Sequence, residues 1–219
     1  MEIFECLTVA ALFREAESSL ALPYLRAFLY PWEALAGLAD FVSSLGRSLP
    51  PDLYEERAAG VFVAKSAKIH PSATLIGPAV ICEGAELRTG AFLRGGVLVG
   101  RGATVGNASE LKNCILFDMA AAPHYNYVGD SVLGYRAHLG AGAITSNLRA
   151  DRREVGVRIG ESVRLPTGRR KCGAFLGDFA EIGCHAVLNP GSVIAPHATV
   201  YPLTSVRRYV PAEKTPTCG

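Results

Sequence analysis

Large apolar residues recur at every sixth position from Ile69 to Phe117: Ile69, Leu75, Ile81, Leu87, Leu93, Val99, Val105, Leu111 and Phe117. Four residues after each comes a position that is mostly small: Ala73, Ala79, Ala85, Ala91, Val97, Ala103, Ser109 and Ile115. A helix repeats near 3.6 residues and a strand at two, so neither accounts for a period of six. A hexapeptide period with one bulky and one small inward position predicts a solenoid of short flat strands. The large residue fills the interior and the small one fits a tight corner. Gly77-Pro78, Glu83-Gly84, Thr89-Gly90 and Arg101-Gly102 supply turn chemistry between them. The period returns at Leu176, Ile182, Leu188, Ile194, Val200 and Val206, with Ala180, Ala186, Ser192, Ala198 and Thr204 as small partners. A β-sandwich would show period-two alternation and turns about every 8–12 residues, which these stretches lack.

Three segments follow from this pattern. Residues 1–58 carry no hexads and predict a helical segment that caps the open end of the solenoid, since terminal coils need cover. Within it, Pro31 opens a helical face of Trp32, Leu35, Leu38, Phe41, Val42 and Leu45, with Gly46 suited to the position after the last turn. A second, less regular helix is expected over about Thr8 to Leu20. Residues 59–211 form the β-helix, and 212–219 a short tail. Two stretches depart from the hexads, at residues 118–127 and at about 147–175. Insertions in a solenoid project from one corner and commonly build its binding face.

Composition adds limits. Apolar residues make up 49% of the 219 and charged residues 19%, which describes a folding chain rather than a disordered one. The net charge of +2 gives no argument for nucleic acid. No run reaches the length of a membrane helix, and the N-terminus lacks the basic region of a signal peptide, so a cytoplasmic protein without membrane partners is expected. Six cysteines (Cys6, Cys82, Cys114, Cys172, Cys184, Cys218) form no C-x-x-C pair or zinc spacing. They are expected to be reduced, with Cys82 and Cys184 as small buried residues within repeats.

The run SELKNCILFDMAAAPHYNYVGDSVLGYRAHLGAGAITSN, from Ser109 to Asn147, and KCGAFLGD, from Lys171 to Asp178, bring a family into view. They resemble the C-terminal acetyltransferase half of N-acetylglucosamine-1-phosphate uridylyltransferases, and more closely the same half of archaeal sugar-1-phosphate nucleotidylyltransferases. The resemblance covers about Ile69 to Pro211. It implies a mainly β fold, a left-handed parallel β-helix of hexapeptide repeats, joined here to a short N-terminal helical segment. It also implies a homotrimer. The nucleotidyltransferase domain of that family has no counterpart in residues 1–60.

The resemblance implies an acetyl-CoA-dependent N-acetyltransferase acting on glucosamine 1-phosphate or galactosamine 1-phosphate, a step of nucleotide-sugar biosynthesis. Acetyl transfer to an amine needs a base for the proton lost as the bond forms, and an imidazole titrates in the useful range. His124 matches the family's catalytic histidine. A thioester is already activated, so direct transfer needs no acyl-enzyme, and the chain offers no nucleophile elbow. The oxyanion would be met by a backbone N–H of the Gly140-Ala141-Gly142 corner. Arg94 and Lys112 match the phosphate and sugar positions. Each directly follows an inward leucine, and the two lie eighteen residues apart, about one coil. Glu110, Tyr127 and Asn147 match sugar-contacting positions. His138 stands where the family has asparagine, Leu148 where its bacterial branch has tyrosine, and Arg152 or Arg153 near its lysine, so the amino sugar itself is left open.

For the cosubstrate, Arg169-Arg170-Lys171 and Arg207-Arg208 are candidate phosphate clamps. Ala141, Ala174 and Ala195 are candidate small residues along the pantetheine groove. No metal is expected. A γ-type carbonic anhydrase would need two histidines five residues apart, and His70, His124, His138, His185 and His197 include no such pair. The competing reading is a non-catalytic sugar-phosphate-binding or oligomerisation subunit of a nucleotidyltransferase-like β-helix protein.

Overall fold

In a computed structural model, which describes residues 4–15 and 17–212, the chain forms the expected parallel β-helix. Each coil gives one short strand to each of three walls. The first wall runs from Val61–Ala64 through Ala79–Ile81, Val97–Val99, Cys114–Leu116, Val132–Leu133, Ala174–Leu176 and Ser192–Ile194 to Tyr209–Val210. The second runs from Lys68–Ile69 to Thr199–Val200, and the third from Thr74–Ile76 to Ser205–Val206, with seven strands in each. Leucine, isoleucine, valine and alanine side chains from all three walls fill the interior. Residues 54–58 are not part of a helical segment: Tyr54–Ala58 pairs antiparallel with Val61–Ala64 and edges the first wall.

The hexad count slips once, and the slip has a physical cause. Leu93 pairs with Leu111, eighteen residues on, but Leu111 pairs with Val128, seventeen on. The corner between Lys112 and Cys114 holds the single residue Asn113, in the left-handed conformation (φ 48°), where earlier coils use two. The inward residue of the next coil is therefore Leu116, paired with Val99, not Phe117. Phe117 points outward and is fully buried there, its ring stacked on Phe13 at 5.1 Å. The same short corner recurs at Asp130 (φ 48°). Residues 118–127 are consequently no insertion. Ala121–His124 and Tyr127–Gly129 are ordinary strands of the second and third walls, in register with Thr104–Asn107 and Glu110–Lys112.

Phe13 reaches Phe117 because the N-terminal segment lies along the outside of the first wall rather than over an open end. Leu7, Leu12, Leu25, Trp32, Leu38 and Val42 pack on Val80, Leu98, Ile115, Phe117, Val132 and Phe175. That wall is apolar on both sides, as a parallel sheet covered on both faces must be. At the first coil, Ile69 and Leu75 remain only partly buried. The helix expected from Pro31 divides into a 3₁₀ turn, Glu33–Ala36, and a helix, Leu38–Ser48. Gly46 lies inside that helix and does not end it: a Cβ there would stand 2.1 Å from the Phe62 ring. The helix expected over Thr8 to Leu20 shrinks to Val9–Leu12, with Leu22–Leu25 following. Asp178 takes the amides that would have continued it: its carboxylate accepts N–H bonds from Arg14 (2.6 Å) and Glu15 (2.8 Å).

One true insertion leaves the corner between the third and first walls after Asn147 and returns at Cys172. It carries an antiparallel hairpin, Gly156–Ile159 with Val163–Pro166. It does not simply project, because Val155, Val157 and Cys172 are buried against the outer side of the first wall. Cys82, Cys114 and Cys172 are buried, whereas Cys184 is exposed at a corner rather than packed inside. Cys218 lies outside the described residues. No described helix is long and apolar enough to cross a membrane.

Candidate functional site

The outward positions of the third wall form two columns, because parallel strands in register stack like positions on like. One column reads Phe92, Glu110, Tyr127, Ile144. The other begins Ile76, Arg94 and Lys112, so the expected alignment of the two cations holds. Neither cation is bare. Arg94 donates to Glu110 Oε1 at 2.6 Å, on the open surface. Lys112 Nζ stands 3.2 and 3.3 Å from the two oxygens of Asp130, a carboxylate only 1% exposed. Asn147, at the root of the insertion, donates to Asp130 Oδ2 at 2.6 Å and to the Tyr127 hydroxyl at 3.1 Å. Burial, with the charges of Asp130 and Glu110, pushes the Tyr127 hydroxyl above its ordinary pKa, so it stays a protonated donor. Arg94, Glu110, Lys112, Tyr127 and Asn147 thus share one face. Nothing in the hexad count singles out Asp130; the five-residue step from Val128 to Leu133 marks the tight corner on which it sits.

His124 ends its second-wall strand at the corner leading to the third wall, exposed. Asn126 holds that corner. Its side chain accepts from the His124 amide at 3.0 Å and donates to the carbonyls of Gly140 (2.9 Å) and Ala143 (3.0 Å). The local fit is close: a Cβ on Gly106 would lie 1.5 Å from the Pro123 carbonyl, so only glycine lets the strand carrying His124 stack there. One coil on, Gly142 donates its amide to the His124 carbonyl and Gly140 donates to Ile182. Among the described residues this leaves the Ala141 amide as the unengaged N–H of the expected oxyanion corner, stacked directly on His124. His138 faces outward from the second wall, its Nδ1 2.9 Å from Glu181 Oε2. It therefore points away from the third-wall cluster of its own molecule.

The residues expected to hold the cosubstrate are dispersed. Ala141 is partly exposed at the second-to-third corner, Ala195 is buried at the first-to-second corner, and Ala174 lies in the interior. They do not line one groove, because the small position of a hexad faces inward at Ala174. Arg169-Arg170-Lys171 forms the neck of the insertion, where Lys171 bridges to Leu148 and Cys172 donates to the Asn147 carbonyl. Arg207 follows inward Val206, as Lys112 follows Leu111, and so belongs to the same edge of the third wall, four coils on. It lines a groove of about 480 Å³ with Arg149, Arg158 and Asn189, and an adjoining one of about 390 Å³ with Arg158 and Arg208. Arg158, on the hairpin, carries no hexad or motif signal. Thiol chemistry has little support at the buried cysteines: burial pushes Cys82 and Cys172 up to about 12.

Fold and register define a hexapeptide-repeat β-helix protein. Its sequence is 39% identical over 101 residues to a bifunctional sugar-1-phosphate nucleotidylyltransferase/acetyltransferase of Sulfurisphaera tokodaii, covering 46% of this chain and 25% of that one. It is 34% identical over 104 residues to a putative uncharacterized acetyltransferase, YaiX, of Escherichia coli, covering 48% and 45%. It is 37% identical over 94 residues to the bifunctional protein GlmU of Methanococcus maripaludis, covering 42% and 22%. The chain thus matches less than half the length of each of these relatives. No family model matches it. Among solved structures, a hexapeptide transferase family protein from Anaplasma phagocytophilum superposes with a TM-score of 0.50 at 19% identity, over 68% of this chain and 81% of that one, which supports the fold.

Proposed function

We propose that the chain is an acetyl-CoA-dependent N-acetyltransferase whose acceptor is an amino-sugar 1-phosphate, glucosamine 1-phosphate or galactosamine 1-phosphate. The observation that carries this reading is the third-wall cluster: two cations stacked one coil apart, beside a phenol, an amide and a carboxylate that can receive sugar hydroxyls. Arginine offers a phosphate two parallel donors, and lysine adds a point charge. The similarity to a relative named as a bifunctional sugar-1-phosphate nucleotidylyltransferase/acetyltransferase supports the same chemistry.

His124 acts as general base. As the amine nitrogen bonds to the thioester carbonyl carbon, the imidazole takes the proton the nitrogen loses. Negative charge gathers on the carbonyl oxygen, where the Ala141 amide can receive it. Collapse expels the coenzyme A thiolate and leaves the amide. Arg207 and Arg208, with Arg158, hold the phosphates of coenzyme A. Arg207 and Lys112 are separated by four coil steps, roughly 19 Å at the spacing of adjacent strands, a span that suits a linear cosubstrate.

His138 belongs to the second wall and the sugar cluster to the third, and these diverge on one molecule. A second copy that lays its second wall against this third wall would bring them together, and a homotrimer does so at every corner. The test has two parts. Thiol release from acetyl-CoA over a panel of amino-sugar phosphates should show turnover with a 1-phosphate, and no turnover with any member sinks the reading. Light scattering at micromolar concentration should give three times the chain mass; a monomer refutes the shared site.

A further inference from the structure

We propose that Asp130 is a positioning residue for the sugar-phosphate site, setting the place of the Lys112 ammonium that meets the phosphate. The inference rests on the function proposed above. Four contacts converge on this one carboxylate. Lys112 Nζ lies within 3.3 Å of both oxygens, Asn113 Nδ2 donates to Oδ1 at 2.8 Å, and Asn147 Nδ2 donates to Oδ2 at 2.6 Å. Its backbone adds two more: the amide donates to the Lys112 carbonyl at 2.9 Å, and the carbonyl accepts from Gly173 at 2.7 Å.

The contrast with Glu110 gives the inference its direction. Glu110 sits on the surface beside Arg94, and an exposed pair of this kind is weak and readily exchanged. A phosphate arriving at Arg94 can displace it. Asp130 cannot leave, because it is buried and three other segments hold it: the corner of the preceding coil, the root of the insertion, and the strand beneath it. A buried carboxylate needs a cation, and Lys112 is the cation it has. A lysine stem is flexible and three donors radiate from its nitrogen. Bound to Asp130 through one of them, the ammonium is fixed against the wall and keeps the others for the ligand. Neutral asparagine at 130 presents an NH₂ where three donors converge, so at least one must withdraw, and Lys112 loses the charge that anchors it.

The experiment reads binding, so it does not depend on turnover. Glucose 1-phosphate, which lacks the reacting amine, is titrated calorimetrically into the full chain. Asp130→Asn is expected to weaken it about tenfold, in line with a lost charge-assisted contact, and Lys112→Met by at least as much. The double variant is expected to bind no more weakly than Lys112→Met alone, since a residue acting through another adds nothing once that other is gone. A merely structural carboxylate would give additive losses, and that result overturns the proposal. Unchanged or tighter binding by Asp130→Asn also overturns it, showing that the carboxylate competes for the lysine. Should Asp130→Asn fail to fold, Asp130→Glu, which keeps the charge and displaces it, carries the same comparison. If wild type does not bind glucose 1-phosphate, both this inference and the proposed function fall. If it binds, with the coupling described, but transfers no acetyl group, only the activity falls.

Discussion

Replacing His124 by alanine separates catalysis from architecture, because the imidazole takes no part in holding its own strand. The side chain is exposed, and the strand end is fixed instead by Asn126, through the His124 amide at 3.0 Å and the Gly140 and Ala143 carbonyls on the next coil. Removal of a surface side chain of this kind changes stability by about 0.5 kcal/mol or less. Loss of a general base costs about 10²–10⁴ in rate, which at 1.36 kcal/mol per decade is about 2.7–5.4 kcal/mol of barrier. Chemical denaturation and steady-state thiol release on the same preparations therefore give a near-silent first readout and a large second one. KM for both substrates should hold, since neither the third-wall cluster nor the arginine groove is touched. Full turnover by His124→Ala, with activity lost in His138→Ala, would refute the assignment and transfer the base to the histidine that Glu181 orients.

Two further outcomes test the packing around the site. Gly106→Ala adds a methyl 1.5 Å from the Pro123 carbonyl; it should cost about 1–3 kcal/mol as an overpacked contact and lower kcat although no site side chain is altered, whereas a fully active variant of unchanged thermal midpoint would show that the corner has slack. Phe117→Ala should destabilise the protein by about 3–5 kcal/mol and make the segment around Phe13 sensitive to protease, because outward Phe117 is what that segment docks on; wild-type resistance would place the anchor elsewhere.

The period of six determined most of the architecture by itself. An inward side chain every sixth residue predicts a solenoid of short flat strands, with three hexads to a coil implied by the resemblance, and the positions adjoining an inward leucine must face out. Arg94 and Lys112 were placed on an outer wall by that rule, whereas Tyr127, inside the departure at residues 118–127, was implicated by resemblance only. The His124 motif was visible as a string of residues, with its role implied by resemblance. The sequence could not reveal that the departure at residues 118–127 is a one-residue shortening at Asn113 rather than a loop, since a missing residue and an inserted one both spoil a period. That difference turned Phe117 outward and placed His124 on a strand. It also could not show where the N-terminal helices lie, because an amphipathic helix specifies an apolar face but not which apolar surface will cover it. Cation partners were equally hidden: Glu110 lies sixteen residues from Arg94 and Asp130 eighteen from Lys112, and only stacking of the coils makes them neighbours. The contacts that bury Asp130 come from Asn113, Asn147 and Gly173, which only the stacking of the coils brings to one corner, and so belong to the tertiary structure alone.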